Sequence, residues 1–287
     1  PRLRARIVAL GVTSLFAFYA FTTALRALEW SDPLRLVMAE ASKRPLSPDA
    51  QFARADMMLR RLRRADGTPP TDDAIHALDS ARKLPGAGIL FEQLLITTQA
   101  KRHMPINPAW WVDLVEKLKS RPANASDARS LALLNSCFLE HICEENISAL
   151  KDAYAAAMSH GNPRATLLSV HAEFAWHLLG DKLQGERDIR AAVDAAPSDV
   201  NARRNLFVAL LATNQLSAAK AELTVLKSKN WFGLYDSMIL SLESALSAQE
   251  GRTEPSLDQA SPESSNRGSD LSPHESVASD GVTIGSS

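Results

Sequence analysis

The 287-residue chain balances 32 Lys and Arg against 33 Asp and Glu, for a net charge of −1. That leaves no basic field to attract nucleic acid, which is excluded as a partner class. With 45% hydrophobic and 23% charged residues there is apolar material for one or two globular domains besides a membrane span, and two cysteines are too few for a disulfide scaffold.

The amino terminus carries Arg2, Arg4 and Arg6, and residues 7–25, IVALGVTSLFAFYAFTTAL, are uncharged. Nineteen residues of helix rise roughly 28 Å, close to the hydrocarbon thickness of a bilayer, and the basic flank favours a cytoplasmic amino end. A secretory signal shares the basic start, but its apolar core is shorter, and Arg26 stands just ahead of a cut after Ala27. Residues 1–28 are therefore expected to form a transmembrane helix with the bulk of the chain periplasmic, at a bacterial inner membrane. Because residue 1 is proline, the further expectation is that the chain is the carboxyl-terminal piece of a longer protein and that residues 7–25 are the last of several spans.

From 29 to about 249 the apolar residues recur at helical spacing between breaks of Pro, Gly, Asn or Asp. The pattern predicts helices over 32–43, 48–64, 71–83, 87–102, 108–120, 126–141, 144–159, 163–179, 181–195, 199–213, 215–228 and 231–248, and no strand. The fold class is all-α. Trp110 and Trp111 follow Pro108, and adjacent helical positions do not share a face, so one is expected in the core and the other at the surface or in a groove. The last helix, carrying Phe232, Leu234, Tyr235, Met238, Ile239 and Leu242, is expected to close the array with an apolar stripe packed in the core.

A 34-residue period runs through the last third. Pro163 and Pro197, Ala172 and Leu206, Trp176 and Leu210, and Gly185 and Ala219 are each 34 apart, and Gly180-Asp181 precedes Asn214-Gln215 by the same interval. This helix-turn-helix period resembles the tetratricopeptide repeat (TPR) family, best over 163–230, where AEFAWHLLGDKLQGERDIRAAVDAAP carries the aromatic Trp176, the turn, the small Gly185, Ala192 and the closing Pro197. The first-helix glycine of the family is replaced by Glu173 in one unit and Phe207 in the next. The resemblance implies an α-α superhelix of about five pairs over 29–249, since one pair cannot bury its apolar face alone. It also implies a concave surface lined by the first helix of each pair, here Val170, Phe174 and His177, then Asn201, Arg204, Asn205 and Val208, holding a protein or peptide partner.

Residues 250–287 are rich in Ser, Pro, Asp and Glu and nearly lack large apolar side chains. They are expected to be a disordered tail.

For chemistry, Cys137, His141 and Cys143 form the densest cluster, in CFLEHICEEN. As zinc ligands they lack an evident fourth partner and a recognised spacing. A Cys137–Cys143 disulfide needs a turn near Ile142, because six residues of straight helix rise about 9 Å against a Cα limit of about 7 Å. A periplasmic location permits it; two buried thiols are the alternative. His171 and His177, six apart, point in different directions. Asn124 and Asn146 stand in NAS and NIS strings that permit glycan attachment. There is no phosphate loop, GxSxG or HExxH, and no carboxylate pair stands out from helix surface charge. No catalytic residue, metal or cofactor is assigned.

The junction TTALRALEWSDPLRLVMAEASKRPLSPDAQ, with Arg26, Trp30, Pro45 and Ser47, resembles multi-span membrane proteins that end in repeats, among them TPR proteins linked to O-mannosylation and lipid-linked glycosyltransferases. That resemblance implies that sugar transfer resides upstream. The sequence thus supports a membrane-anchored, non-catalytic interaction module, with the accessory domain of a glycosyltransferase or oligosaccharide transferase as the alternative. A hydrolase within the chain would need a convergent polar site that the sequence does not present.

Overall fold

The computed structural model describes residues 2–63, 67–143 and 147–253, and over them the chain is all-α, with thirteen helices and no strand. Of the tail expected over 250–287, residues 254–287 lie outside the described residues, as does Asn146. Helix α1 (Arg2–Trp30) contains the apolar stretch Leu10–Leu28, long and apolar enough to cross a membrane, and none of that stretch is buried by the rest of the chain. Its Thr22 hydroxyl donates to the carbonyls of Phe18 and Tyr19, both at 3.0 Å, which suits a polar group on an apolar rod.

Three of the following helices start by one device, an N-cap side chain followed by proline. Asp32 accepts from the Leu34 N–H at 2.9 Å to open α2 (Pro33–Lys43), and Ser47 accepts from Ala50 to open α3 (Pro48–Arg60). Asn107 accepts from Ala109 at 3.0 Å to open α6 (Pro108–Ser120). The cap satisfies an orphan donor, and proline supplies helical φ where no N–H is needed.

The chain divides into two units. Unit 1 is built from Pro1–Arg121 with Ile142–Ala156. In it α2, α3, α4 (Thr71–Ala81), α5 (Leu90–Lys101) and α6 pack each on the next. Most of α8 (Ile147–Met158) also belongs here, with Leu150 and Tyr154 buried. Helix α5 is the centre: Phe91, Glu92, Gln93, Leu95, Ile96, Thr97 and Ala100 are all buried. Phe91 meets Phe52 edge to face at 5.4 Å. Trp110 and Trp111 are each 5% exposed, so the expectation that one of them faces solvent or a groove is overturned. The indole N–H of Trp110 donates to Asp79 at 2.8 Å, which lets it lie inward.

Unit 2 is built from Pro122–His141 with Ala157–Ser287. Helix α7 (Ala125–Leu139) opens on a reciprocal capping box between Asn124 and Asp127 and packs against α9 (Ala165–Glu173) and the π-helical turn Phe174–Leu178 that continues it. Then α9 packs on α10 (Lys182–Ala195), α10 on α11 (Val200–Ala212), α11 on α12 (Leu216–Ser228) and α12 on α13 (Asp236–Thr253). Both cysteines are disulfide-bonded, on either side of a turn in which His141 takes a positive φ of 56°.

The 34-residue equivalence holds in backbone and packing. Gly180 at φ 69° and Asn214 at φ 58° are the left-handed residues between the helices of each pair. Ala172, Trp176, Leu206, Leu210 and Ala219 are buried in one core with Ile189, Val193 and Leu223. At Gly185 a Cβ would lie 3.0 Å from the Trp176 ring and 3.2 Å from the Ala172 carbonyl, so the α9–α10 crossing needs glycine. Gly185→Ala is expected to destabilise unit 2 by about 1–3 kcal/mol, read as faster amide hydrogen exchange in α9 and α10. Unchanged exchange there would mean that the crossing is not close-packed.

The last predicted helix is corrected. It begins at Asp236, because Phe232 at φ 58° and Gly233 at φ 73° break the helical path. Ile239 and Leu242 join the core, with Tyr235 and Met238 packed against it. Trp231, Phe232 and Leu234 are 73%, 103% and 75% exposed, contrary to the expected core stripe.

Candidate functional site

The residues that the TPR resemblance implies for a partner divide by burial. Val170 and Phe174 are 9% and 1% exposed: their side chains belong to the core, and a partner does not reach them. Val208 is half-buried and packs against the core of unit 2. His177 is half-buried, and its Nε2 lies buried with no hydrogen-bond partner. On α11 the exposed Asn201 and the half-buried Arg204 and Asn205 leave one polar stripe, in which the Arg204 guanidinium donates to the Asn205 amide oxygen at 3.3 Å.

The inner side of α9 carries polar chemistry at positions where its counterpart is apolar. Glu173 stands 34 residues before Phe207, which is fully buried. Its carboxylate accepts from the Asn135 amide at 3.4 Å, and the same fully buried amide donates to the Val170 carbonyl at 3.0 Å. Burial raises the Glu173 pKa above the ordinary carboxylate value, against the opposing Asn135 hydrogen bond. One turn on, burial lowers the His177 pKa. No hydrogen bond joins the two groups. The turn that carries His177 is π-helical, closed by the Leu179 N–H to the Phe174 carbonyl at 3.1 Å and by Asp181 to Ala175 at 2.9 Å. On the opposite side His171 Nδ1 meets Asp188 at 2.7 Å, and Asp188 also accepts from Gln184. In the next pair Arg203 meets Glu222 at 2.8 Å, and Glu222 is 34 residues after Asp188. Each second helix thus fastens back to its first through one acid. The 34-residue interval is shared by the two acids, whereas their partners His171 and Arg203 do not share it.

An open groove of about 790 Å³ lies where the start of α9 meets the start of α7 and the end of α10. Small residues dominate its lining: Ala125, Ala165, Ala191, Ala195 and Ala196 surround it with the buried Leu168, while Asn162, Arg164, Thr166 and Asp199 supply polar groups. Asn162 turns the chain into α9 at φ 57°, and Asp199 caps α11 by accepting from the N–H groups of Asn201 and Ala202. Arg164 is exposed at the N-cap position of α9, where no side chain caps the helix, and it makes no ion pair among the described residues. An unpaired guanidinium beside an uncapped helix start suits a carboxylate. None of the seven nominated residues lines this groove; Asn201 comes nearest in sequence, two residues past Asp199. Its sequence signal was the run of alanines near the ends of α9 and α10, which read as ordinary helix formers. Comparison of the chain with protein-family models, curated proteins and solved structures gives no match in any of the three.

Proposed function

We propose that this chain is a membrane-anchored, non-catalytic interaction module whose TPR-like helix pairs hold a protein or peptide partner in the periplasm. The observation that carries the reading is the open, alanine-lined groove with the exposed Arg164 among its lining residues. Its volume accommodates a few residues of extended chain, and its charge suits a segment with an acidic side chain or a terminal carboxylate. The bare apolar stretch of α1 supports the anchor, and the three arginines at the start of the same helix support a cytoplasmic amino end. The 34-residue spacing of the helix pairs supports the repeat character.

The test is a photo-crosslinking amino acid at Thr166 in the full chain in its native membrane. A discrete adduct is expected. It should disappear with Ala195→Trp, which fills the groove, and fall about tenfold with Arg164→Glu, the effect of reversing one charge-assisted contact. An adduct indifferent to both substitutions, or none at all, removes the groove from the function.

A further inference from the structure

The turn between α12 and α13 presents Trp231, Phe232 and Leu234 almost wholly to solvent, three large apolar side chains within four residues. Such a cluster is not a packing accident of a loose loop, because the turn is built. Asn230 accepts from the Tyr235 N–H at 2.8 Å and donates to Asp236 at 2.5 Å, clamping its two ends. The Asp236 carboxylate lies 2.7 Å from where a Cβ on Gly233 would stand, so the clamp requires glycine there. Phe232 is held at φ 58°, a left-handed conformation unfavourable to any residue with a Cβ, and the consequence is a ring turned fully outward. Below the tip, Tyr235, Met238 and Ile239 fix it to the core of unit 2.

We propose that residues 231–234 form a rigid wedge that docks on a lipid surface. The inference rests on the membrane-anchor reading of α1. Three observations favour lipid over protein as the occupant. The side chains project, Phe232 being fully exposed, whereas a partner protein would need a matching pocket; a bilayer deforms to receive them. Its composition, one tryptophan beside phenylalanine and leucine, is that of side chains which settle at the headgroup boundary. Lys229, which makes no ion pair among the described residues, precedes it and complements anionic headgroups, while Lys227 is already paired with Glu243. Tethering by α1 raises the local concentration of lipid around the tip, so a small apolar wedge suffices.

The test uses the full chain reconstituted in vesicles of phosphatidylethanolamine and phosphatidylglycerol. Because both native cysteines are disulfide-bonded, an environment-sensitive fluorophore can be attached without reductant at Leu234→Cys, or, in a separate preparation, at Phe16→Cys. The expected result is quenching of the Phe16 probe by deep spin-labelled lipids and of the Leu234 probe by shallow ones. Trp231→Ser with Phe232→Gly, which leaves the core untouched and relieves the positive φ, should lower the bound-to-free ratio of the tip at least about tenfold. If the Phe16 probe is quenched but the Leu234 probe stays open to aqueous iodide, the wedge is overturned and the anchor stands. A Leu234 probe shielded from iodide yet unquenched by lipid means that a protein or a second copy covers the tip, which also overturns the proposal. An unquenched Phe16 probe removes the anchor, and the wedge with it.

Discussion

Replacing Lys117 with methionine is expected to destabilise unit 1 by about 3–5 kcal/mol, the cost of leaving a buried partner charge uncompensated. Lys117 Nζ donates to Glu92 Oε1 at 2.7 Å, to the Arg82 carbonyl at 2.9 Å and to the Gly88 carbonyl at 3.3 Å, so its three protons are all engaged. The Glu92 side chain is wholly buried, and its second oxygen has no hydrogen-bond partner. Burial raises the Glu92 pKa, with the Lys117 hydrogen bond and charge working against that shift. Around the pair, Arg82, itself 6% exposed, donates to Asp79 at 2.9 Å and pairs with Asp113, which ties α4 to α6. Burial acts to raise the Asp79 pKa too, but hydrogen bonds from Arg82 and Trp110 and nearby positive charge outweigh it and leave the pKa lowered. Methionine keeps the length of Lys117 and removes its charge.

The pH dependence gives this prediction its sign. A carboxyl whose folded pKa exceeds its unfolded one binds more protons in the folded state, so its effect on stability worsens as pH rises from the ordinary carboxyl value through the folded one. Without Lys117 the Glu92 pKa rises further, and the Lys117→Met deficit should shrink as pH falls through that raised value. Pairing Lys117→Met with Glu92→Gln should recover most of the loss, since no buried charge remains. The measurement is amide hydrogen exchange in α5 and α6 of the full chain, which reads unit 1 separately from unit 2. A Lys117→Met chain with wild-type protection at neutral pH would mean that the ion pair contributes nothing.

What could be read in the sequence was what depends on near neighbours. The Asp32-Pro33, Ser47-Pro48 and Asn107-Pro108 pairs announce helix starts because cap and proline act within a few residues. The 34-residue interval is visible because the same crossing is made twice. Glu92 and Lys117 were invisible as a pair: each sits at an ordinary helical position, and only the packing of α5 between its neighbours buries the carboxylate. The tip departs from the predicted helix for a related reason. WFGLYDSMIL has helical apolar spacing, and the departure at Phe232 comes from the Asn230 clamp and Gly233, which periodicity does not register. The two tryptophans of α6 escape the one-face rule because α6 packs on α5 and also meets α4, where Trp110 donates to Asp79. The groove was out of reach for yet another cause: it is space left by small side chains on segments distant in sequence.

Phe207→Ala is expected to cost about 3–5 kcal/mol, the usual penalty for deleting a buried phenylalanine ring, whereas Glu173→Gln, at the equivalent place 34 residues earlier, should stabilise unit 2 at neutral pH. Phe207 is 0% exposed and sits in the core shared by α11, α12 and α13. Glu173 meets the same inward direction with a carboxyl held by Asn135 and pushed up in pKa by burial. Its folded pKa lies above its unfolded one, so the carboxyl form is favoured on folding at low pH and that advantage is lost as pH rises through the folded value. Glutamine keeps an oxygen for the Asn135 amide and never ionises. The gain from Glu173→Gln should therefore be largest above the raised pKa and vanish below the ordinary carboxyl value, measured by hydrogen exchange in α7 and α9 across that range. Were Glu173→Gln to weaken unit 2 at every pH, the charged carboxylate would be what α7 holds, and this half-buried polar residue would be an anchor for Asn135 rather than a tolerated departure from the repeat.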